Sequence, residues 1–521
     1  MTPRTSPRAR RALVVGAGIA GLAGAARLAA AGFDVTVLDR HAAPGGRMRC
    51  LPSAAGPVDA GPTVLTMRPV FEALFHDLGT RLGDHVTLIR QPVLARHFWP
   101  DGSRLDLFDD AQANAQAIAD FAGARAARQF ARFSDRARRL FEAFDAPMMQ
   151  APAPRLAGLT GHVAARPALI PAMAPLSGLA RSLARQFDDA RLAQLFGRYA
   201  TYVGGSPYRT PALLALIWQA EAAGVWVVQG GMHRLAQAVA GLARRHGAQF
   251  HYGAHVTEIT VENARATGVR LADGTRHRAD VVLFNGDPRA LATGQLGAGV
   301  DQVAPQTRRA PRSLSAEVWA FAATPTGPEL AHHNVFFRDA PKPEFDAIEQ
   351  GRSVADPTLY LCAQDRGTPG GTPAPERFEI IANAAPLTQA PTETEFKTCR
   401  TRTFTTLARF GLTFDPPPGE AALTTPTGFE QLFPATAGSL YGQSPHGLTA
   451  ALTRPTARTP VAGLYLAGGG THPGAGVPMA TLSARHAAEA ILQDRCSTSP
   501  SRPTAMPGGM STGSATTARG R

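Results

Sequence analysis

The segment Gly16-Ala17-Gly18-Ile19-Ala20-Gly21 constrains this chain more than any other, because glycines at that spacing carry meaning only between a strand and a helix. Both flanks are present. Ala12-Leu-Val-Val-Gly16 reads as a short buried strand, Gly21 to Ala31 as an alanine-rich helix, and Asp34-Val-Thr-Val-Leu38 as a second strand, which together predict a βαβ opening. In that setting Gly16 permits the tight turn, Gly18 lets backbone amides approach a pyrophosphate at the helix N-terminus, and Gly21 lets helix and strand pack closely. Asp39 follows 18 residues after Gly21, where an acidic side chain bonds ribose hydroxyls. A chance glycine-rich helix start would leave Asp39 unexplained, so the opening predicts a nucleotide site.

Two further glycine clusters narrow the nucleotide to FAD. Pro44-Gly45-Gly46-Arg47 lies just beyond Asp39, where flavoproteins with this opening set a second glycine pair against the diphosphate and flavin; simple doubly wound NAD enzymes lack it. Gly468-Gly469-Gly470-Thr471-His472-Pro473-Gly474-Ala475-Gly476 follows the predicted strand Leu464 to Ala467 and precedes a helix predicted from Met479 to Leu492. A helix N-terminus aimed at the pyrimidine edge of a flavin favours the negative charge that reduction brings.

At 521 residues with 44% hydrophobic content, the chain has enough apolar material for two interleaved domains. The expected class is α/β, with a doubly wound, Rossmann-like FAD-binding domain from residues 11–61, 210–288 and 455–495. An α+β substrate domain is expected from residues 62–209 and 289–454. Pro62 to Arg209 reads as mainly helical, most clearly at Pro69 to Leu78, Gln112 to Phe144 and Ser177 to Phe196, whereas Phe250 to Val269 alternates like paired strands. Residues 1–10 read as a disordered basic arm and 496–521 as a disordered Ser/Thr/Pro/Gly-rich tail. The four cysteines have neither disulfide-framework nor metal-ligand spacing, so no metal is expected and a reducing cytoplasm fits. No apolar run reaches 18 residues, which argues against an integral membrane protein and leaves peripheral attachment. The formal charge of +13 is nearly all arginine; its dispersal, without interleaved aromatics or a recognisable module, points away from nucleic acid and toward anionic lipid.

Taken together, the four stations at Gly16–Gly21, Asp39, Gly45–Arg47 and Gly468–Gly476 resemble the amine-oxidase-like flavoproteins, and within them the phytoene-desaturase-type carotenoid desaturases. Val58-Asp59-Ala-Gly-Pro-Thr-Val-Leu-Thr-Met67 is similar to that family's segment after the flavin-binding arginine, and Tyr465 to Ala480 to its C-terminal signature. Val64 to Arg68 and Gly468 to Ala480 tilt the resemblance toward the 1-hydroxycarotenoid 3,4-desaturases, which act in spheroidene- and spirilloxanthin-type carotenoid biosynthesis. The likeness runs from about residue 11 to 492. One departure is Asp39, where relatives usually carry Glu. The resemblance implies flavin-binding roles for Gly16, Gly18, Gly21, Asp39, Gly45, Gly46, Arg47, Val256 through its backbone, Gly468, Gly469 and Met479.

The reaction so implied removes two hydrogens across a C–C bond beside a conjugated polyene, a hydride going to flavin N5 and a proton to a protein acceptor. Asp59, just after the flavin-contacting loop, and His472, in the C-terminal loop, are the candidates; a local backbone cap and a loop support are their plainer roles. The carotenoid would be drawn from the inner membrane through a surface such as Arg155 to Phe187, where Arg155, Arg166, Arg181 and Arg185 interleave with apolar residues. A quinone or oxygen would take the electrons. Three alternatives stay open: a phytoene desaturase acting on the hydrocarbon, an amine oxidase, and a flavin-free binding protein of the same fold.

Overall fold

Burial on both faces explains why the apolar runs around the glycine turn read as continuous rather than alternating. A computed structural model describes residues 9–387 and 395–497, so most of the expected arm and tail lies outside the described residues. Its central sheet has five parallel strands in the order Leu464–Leu466, Val281–Phe284, Arg11–Val15, Asp34–Asp39 and Gln249–Tyr252. Val14 pairs with Leu283 on one side and Val37 on the other. The helices Ile19–Ala30, His233–Arg245 and Val477–Ser497 pack together against this sheet. Small residues make that possible: a Cβ on Gly24 would stand 2.5 Å from Leu283 Cδ2, and one on Gly21 would stand 2.0 Å from the Gly16 carbonyl oxygen. The protein is thus an α/β fold built on a parallel sheet, with these helices on one face and the strands Val256–Glu262, Arg265–Leu271 and Arg276–Arg278 packed on the other.

A second, mainly antiparallel sheet carries the rest of the molecule, with Ser315–Thr326 and Glu376–Ala384 paired over nine residue pairs at its centre. Val93–Phe98 joins it parallel to His333–Phe336 and pairs with Arg104–Phe108. These two strands fall in the stretch expected to be mainly helical. Their apolar positions are short and flanked by turn residues, Pro92 before the first and Pro100-Asp101-Gly102 between them, which helical periodicity in the neighbouring segments obscured. Gln249–Tyr252, expected to start a hairpin, is instead the edge strand of the parallel sheet.

Of the expected helices, Pro69 to Leu78 is observed as Arg68–Asp77, and the long one as Ala111–Phe144 with non-helical backbone at Gly123. Ser177 to Phe196 divides into Leu179–Gln186 and Ala190–Gly197, because the Asp189 side chain accepts the Arg191 amide and starts a new helix there.

Several buried histidines tie this packing to pH. Desolvation lowers His97 from 6.5 to about 3, and His332 and His486 from 6.5 to about 4. All three side chains are buried. Each remains neutral in the folded state while the unfolded chain takes up a proton near pH 6.5, so stability is complete above that pH and is lost as pH falls. The loss is up to ~1.4 kcal/mol per pH unit for each histidine. Urea unfolding midpoints are expected to drop steeply between pH 6.5 and 5; a flat profile over that range would contradict the burial.

Candidate functional site

Backbone without side chains forms the floor of a cavity of about 700 Å³ at the C-terminal edge of the parallel sheet. Gly16, Gly18, Asp39, Gly45, Gly46, Arg47, Val256, Gly468 and Gly469 all line it. The Gly45 amide donates to the Ala17 carbonyl at 2.9 Å, which lays the Gly45–Arg47 loop on the glycine turn. Gly46 has φ +57°, and a Cβ there would meet Gly18 Cα at 3.1 Å, so glycine is needed for both conformation and approach. Asn285, at the end of the strand Val281–Phe284, donates from Nδ2 to the Gly16 carbonyl at 3.2 Å and holds the turn from beneath.

Asp39 accepts the Ala17 amide at 2.5 Å and the His41 amide at 2.7 Å. One lone pair on each oxygen is therefore used on backbone, and the others remain for hydroxyl donors. Arg47 donates from Nη2 to the Ser439 carbonyl at 3.2 Å and stacks over Phe433, but its Nε is buried and has no hydrogen-bond partner among the described residues. A buried guanidinium donor without an acceptor fits an anionic group in the cavity. Burial lowers its pKa, partly opposed by Asp287 nearby, which pairs with Arg312.

Two residues given flavin-binding roles do not line this cavity. Gly21 is not in the wall; it serves helix-to-strand packing against Gly16. Met479 lines the neighbouring cavity instead, because the helix beginning at Val477 turns its third residue away from the glycine floor.

That neighbouring cavity, about 770 Å³, is mainly apolar, with Phe141, Phe144, Met148, Met149, Leu214 and Ile217 among its walls. Gly61, Pro62, Ile381, Tyr441, Ala475, Gly476 and Val477 line both cavities and form the junction between them. At the far end Arg198, Thr201, Thr358 and Asn383 are shared with a further cavity of about 420 Å³. The polar groups in these walls are largely engaged. Tyr202 donates to Glu221 at 2.7 Å, and the Tyr360 hydroxyl lies 2.9 Å from Thr63 Oγ1 and 2.7 Å from His333 Nδ1.

Neither candidate proton acceptor lines either of these cavities. Asp59 accepts the amides of Met232 at 2.5 Å and His233 at 3.2 Å and the Cys50 thiol at 3.3 Å, capping the helix His233–Arg245. Desolvation raises its pKa while those hydrogen bonds oppose the rise. A Cβ on Gly231 would stand 2.7 Å from Asp59 Oδ2, so the turn closes over the carboxylate. His472 donates from Nε2 to the Ala151 carbonyl at 2.8 Å and stacks on His486, a loop support; burial lowers its pKa, with that bond opposing. Both side chains are thus committed to protein partners at rest.

Sequence reasoning missed Asn285, Phe433, Ile381, Tyr441 and Arg454, whose Nη1 donates to the Gly469 carbonyl at 2.8 Å. Asn285 carried a signal, standing directly after a buried strand in Asn285-Gly-Asp-Pro288. The others had none, since they reach the site only through long-range pairing. Also missed was a buried group of His332, His333 and Cys362, whose ligand-type atoms lie within 4.8 Å of one another. Burial keeps both imidazoles neutral and the thiol protonated.

A glycine-floored nucleotide cavity opening onto an apolar chamber defines a class, and the chain belongs to the family described as flavin containing amine oxidoreductase, whose model matches residues 19–492. It is a flavoprotein oxidoreductase, and its cofactor is FAD, which the residues of the first cavity fit. Within the family it is similar to hydroxyneurosporene desaturase of Cereibacter sphaeroides, 57% identical over 489 residues that cover 94% of this chain and 99% of that protein. It is also similar to hydroxyneurosporene desaturase of Rhodobacter capsulatus, 52% identical over 93% of this chain and 98% of that protein. Among solved structures, an oxidoreductase from Methanosarcina mazei shares the fold at 16% identity and a TM-score of 0.57, covering 93% of this chain and 100% of that one.

Proposed function

We propose that this protein is a carotenoid desaturase that introduces the C-3,4 double bond into a 1-hydroxylated carotenoid. The observation that carries the reading is the apolar chamber joined end-on to the FAD cavity, supported by the extended identity to two hydroxyneurosporene desaturases. A polyene has almost nothing to hydrogen-bond, so shape alone must hold its register.

Bound FAD supplies a two-electron acceptor. The junction residues bring the end of the polyene against it, and Phe141, Phe144, Met148 and Met149 give the chamber apolar walls that suit it. Loss of a hydride from the allylic carbon leaves positive charge spread over the conjugated chain, which makes the neighbouring C–H acidic enough for a weak acceptor. Incubation of holoenzyme with 1-hydroxyneurosporene is expected to give a product lighter by two hydrogens. Recovery of unchanged substrate from an enzyme that retains its flavin would sink the proposal.

Substrate delivery from a bilayer is part of the same reading. Leu156, Ile170, Leu176 and Leu448 are the large hydrophobics that stand exposed among the described residues, and three of them, Leu156, Ile170 and Leu448, line the mouth of the chamber. Arg155, Arg166, Arg181 and Arg185 are exposed on the same stretch. No described helix is long and apolar enough to cross a membrane. An apolar rim with flanking arginines suits an anionic lipid surface. Changing Leu156 and Ile170 together to Asp is expected to weaken co-sedimentation with anionic vesicles about tenfold; unchanged binding would count against this face.

A further inference from the structure

We infer that the Tyr441 hydroxyl forms a binding subsite for the tertiary alcohol at C-1 of the substrate. This rests on the proposed desaturation of a 1-hydroxylated polyene and adds how that end group is read.

Chemistry fixes where such a subsite must be. The reacting carbons have to approach the cofactor to about 3–3.5 Å, and the C-1 hydroxyl is attached only two carbons from C-3. Whatever bonds the alcohol must therefore stand at the junction of the two cavities, not deep in the chamber. Seven residues line that junction: Gly61, Pro62, Ile381, Tyr441, Ala475, Gly476 and Val477. Of these, Tyr441 alone has a polar side-chain atom.

The hydroxyl of Tyr441 is also uncommitted. Its backbone is held at both ends, the amide donating to Ser313 Oγ at 3.0 Å and the carbonyl accepting from Arg454 Nη2 at 3.1 Å. Its ring lies against Gly204, where a Cβ would come within 2.5 Å of Tyr441 Cδ2. Among the described residues no hydrogen bond engages its hydroxyl, in contrast to Tyr202 and Tyr360 in the same chamber, which are both bonded to protein groups. Burial raises the phenol to about 12, so it remains protonated at neutral pH and offers both a donor and an acceptor. A fixed ring with a spare hydroxyl can bond an alcohol directly, and it would align C-3 and C-4 on the cofactor by doing so. A hydrocarbon end group would leave that hydroxyl unpaired, which is a source of discrimination against it.

Tyr441→Phe in the holoenzyme tests the assignment; because Tyr441 also lines the flavin cavity, flavin content is measured on the same sample and rates are expressed per bound flavin. The measurement is kcat/KM for 1-hydroxyneurosporene and for its deoxy analogue, in which hydrogen replaces the C-1 hydroxyl. The ratio is expected to fall about tenfold in the variant, the loss on the hydroxylated substrate exceeding any change on the deoxy analogue. A wild-type preference that persists in Y441F, or equal slowing on both substrates, overturns the assignment alone. A wild-type enzyme that shows no preference for the hydroxylated polyene overturns the functional reading and the subsite with it.

Discussion

Gly18→Val is expected to give a folded protein that has lost its flavin. Gly18 has an ordinary extended backbone, φ −69° and ψ 169°, so a side chain does not strain the chain itself. Space is what fails. A Cβ at this position would already stand 2.9 Å from Asn285 Nδ2, and the two methyl groups of valine would occupy the floor where backbone must approach the diphosphate. Folding should weaken by only ~1–3 kcal/mol, a typical overpacking cost. Flavin affinity should fall at least a hundredfold, or about 2.7 kcal/mol. The ratio of visible flavin absorbance to protein absorbance, with a thermal melt on the same sample, reads both effects. Full flavin occupancy in a well-folded G18V protein would mean that the cofactor does not lie on this turn.

The complementary experiment blocks the second cavity and spares the first. Ala220, on the helix Ile217–Ala222, lines the apolar chamber and has no place in the wall of the flavin cavity. Ala220→Trp puts an indole into the path of a rigid polyene. The substitution is expected to cut kcat/KM about a hundredfold, near 2.7 kcal/mol in transition-state binding, with flavin content unchanged. Because the block is steric, saturating substrate should not restore the rate. Retained turnover would place the substrate somewhere other than this chamber.

The contrast between these two variants follows the line along which the sequence was legible. Gly16, Gly18, Asp39, Gly45, Gly46 and Arg47 lie close together in the chain, and local rules for turns, helix starts and glycine conformation apply to each. The floor of the first cavity could therefore be read from a few short stretches. The chamber draws on Phe141, Ile217, Tyr360, Ile381 and Tyr441, which meet only because Leu359–Ala363 pairs with Glu376–Ala384 and the long helix packs beside them. No local pattern records those meetings.

Asp59 and His472 show the converse case. Both sit in motifs that adjoin the cofactor site, and nearness in sequence suggested chemistry. In three dimensions Asp59 is spent on the amides of Met232 and His233, and His472 on the Ala151 carbonyl. A carboxylate that accepts two helix N-terminal amides gains from the helix dipole as well, which is reason enough for its burial. The strands at Val93–Phe98 and Arg104–Phe108 were overlooked for a related cause: they add to a sheet whose other members lie more than two hundred residues later.

The central claim, that this flavoprotein desaturates a 1-hydroxylated polyene beside its hydroxyl, is tested most directly by product analysis. Purified holoenzyme should be offered 1-hydroxyneurosporene and phytoene side by side, with a quinone or oxygen present, and the products separated and their double bonds located. The account predicts conversion of the hydroxylated polyene to a product lacking two hydrogens, with the new double bond at C-3,4 and phytoene left essentially untouched. Preferential conversion of phytoene, or a new double bond at any other position, would contradict it.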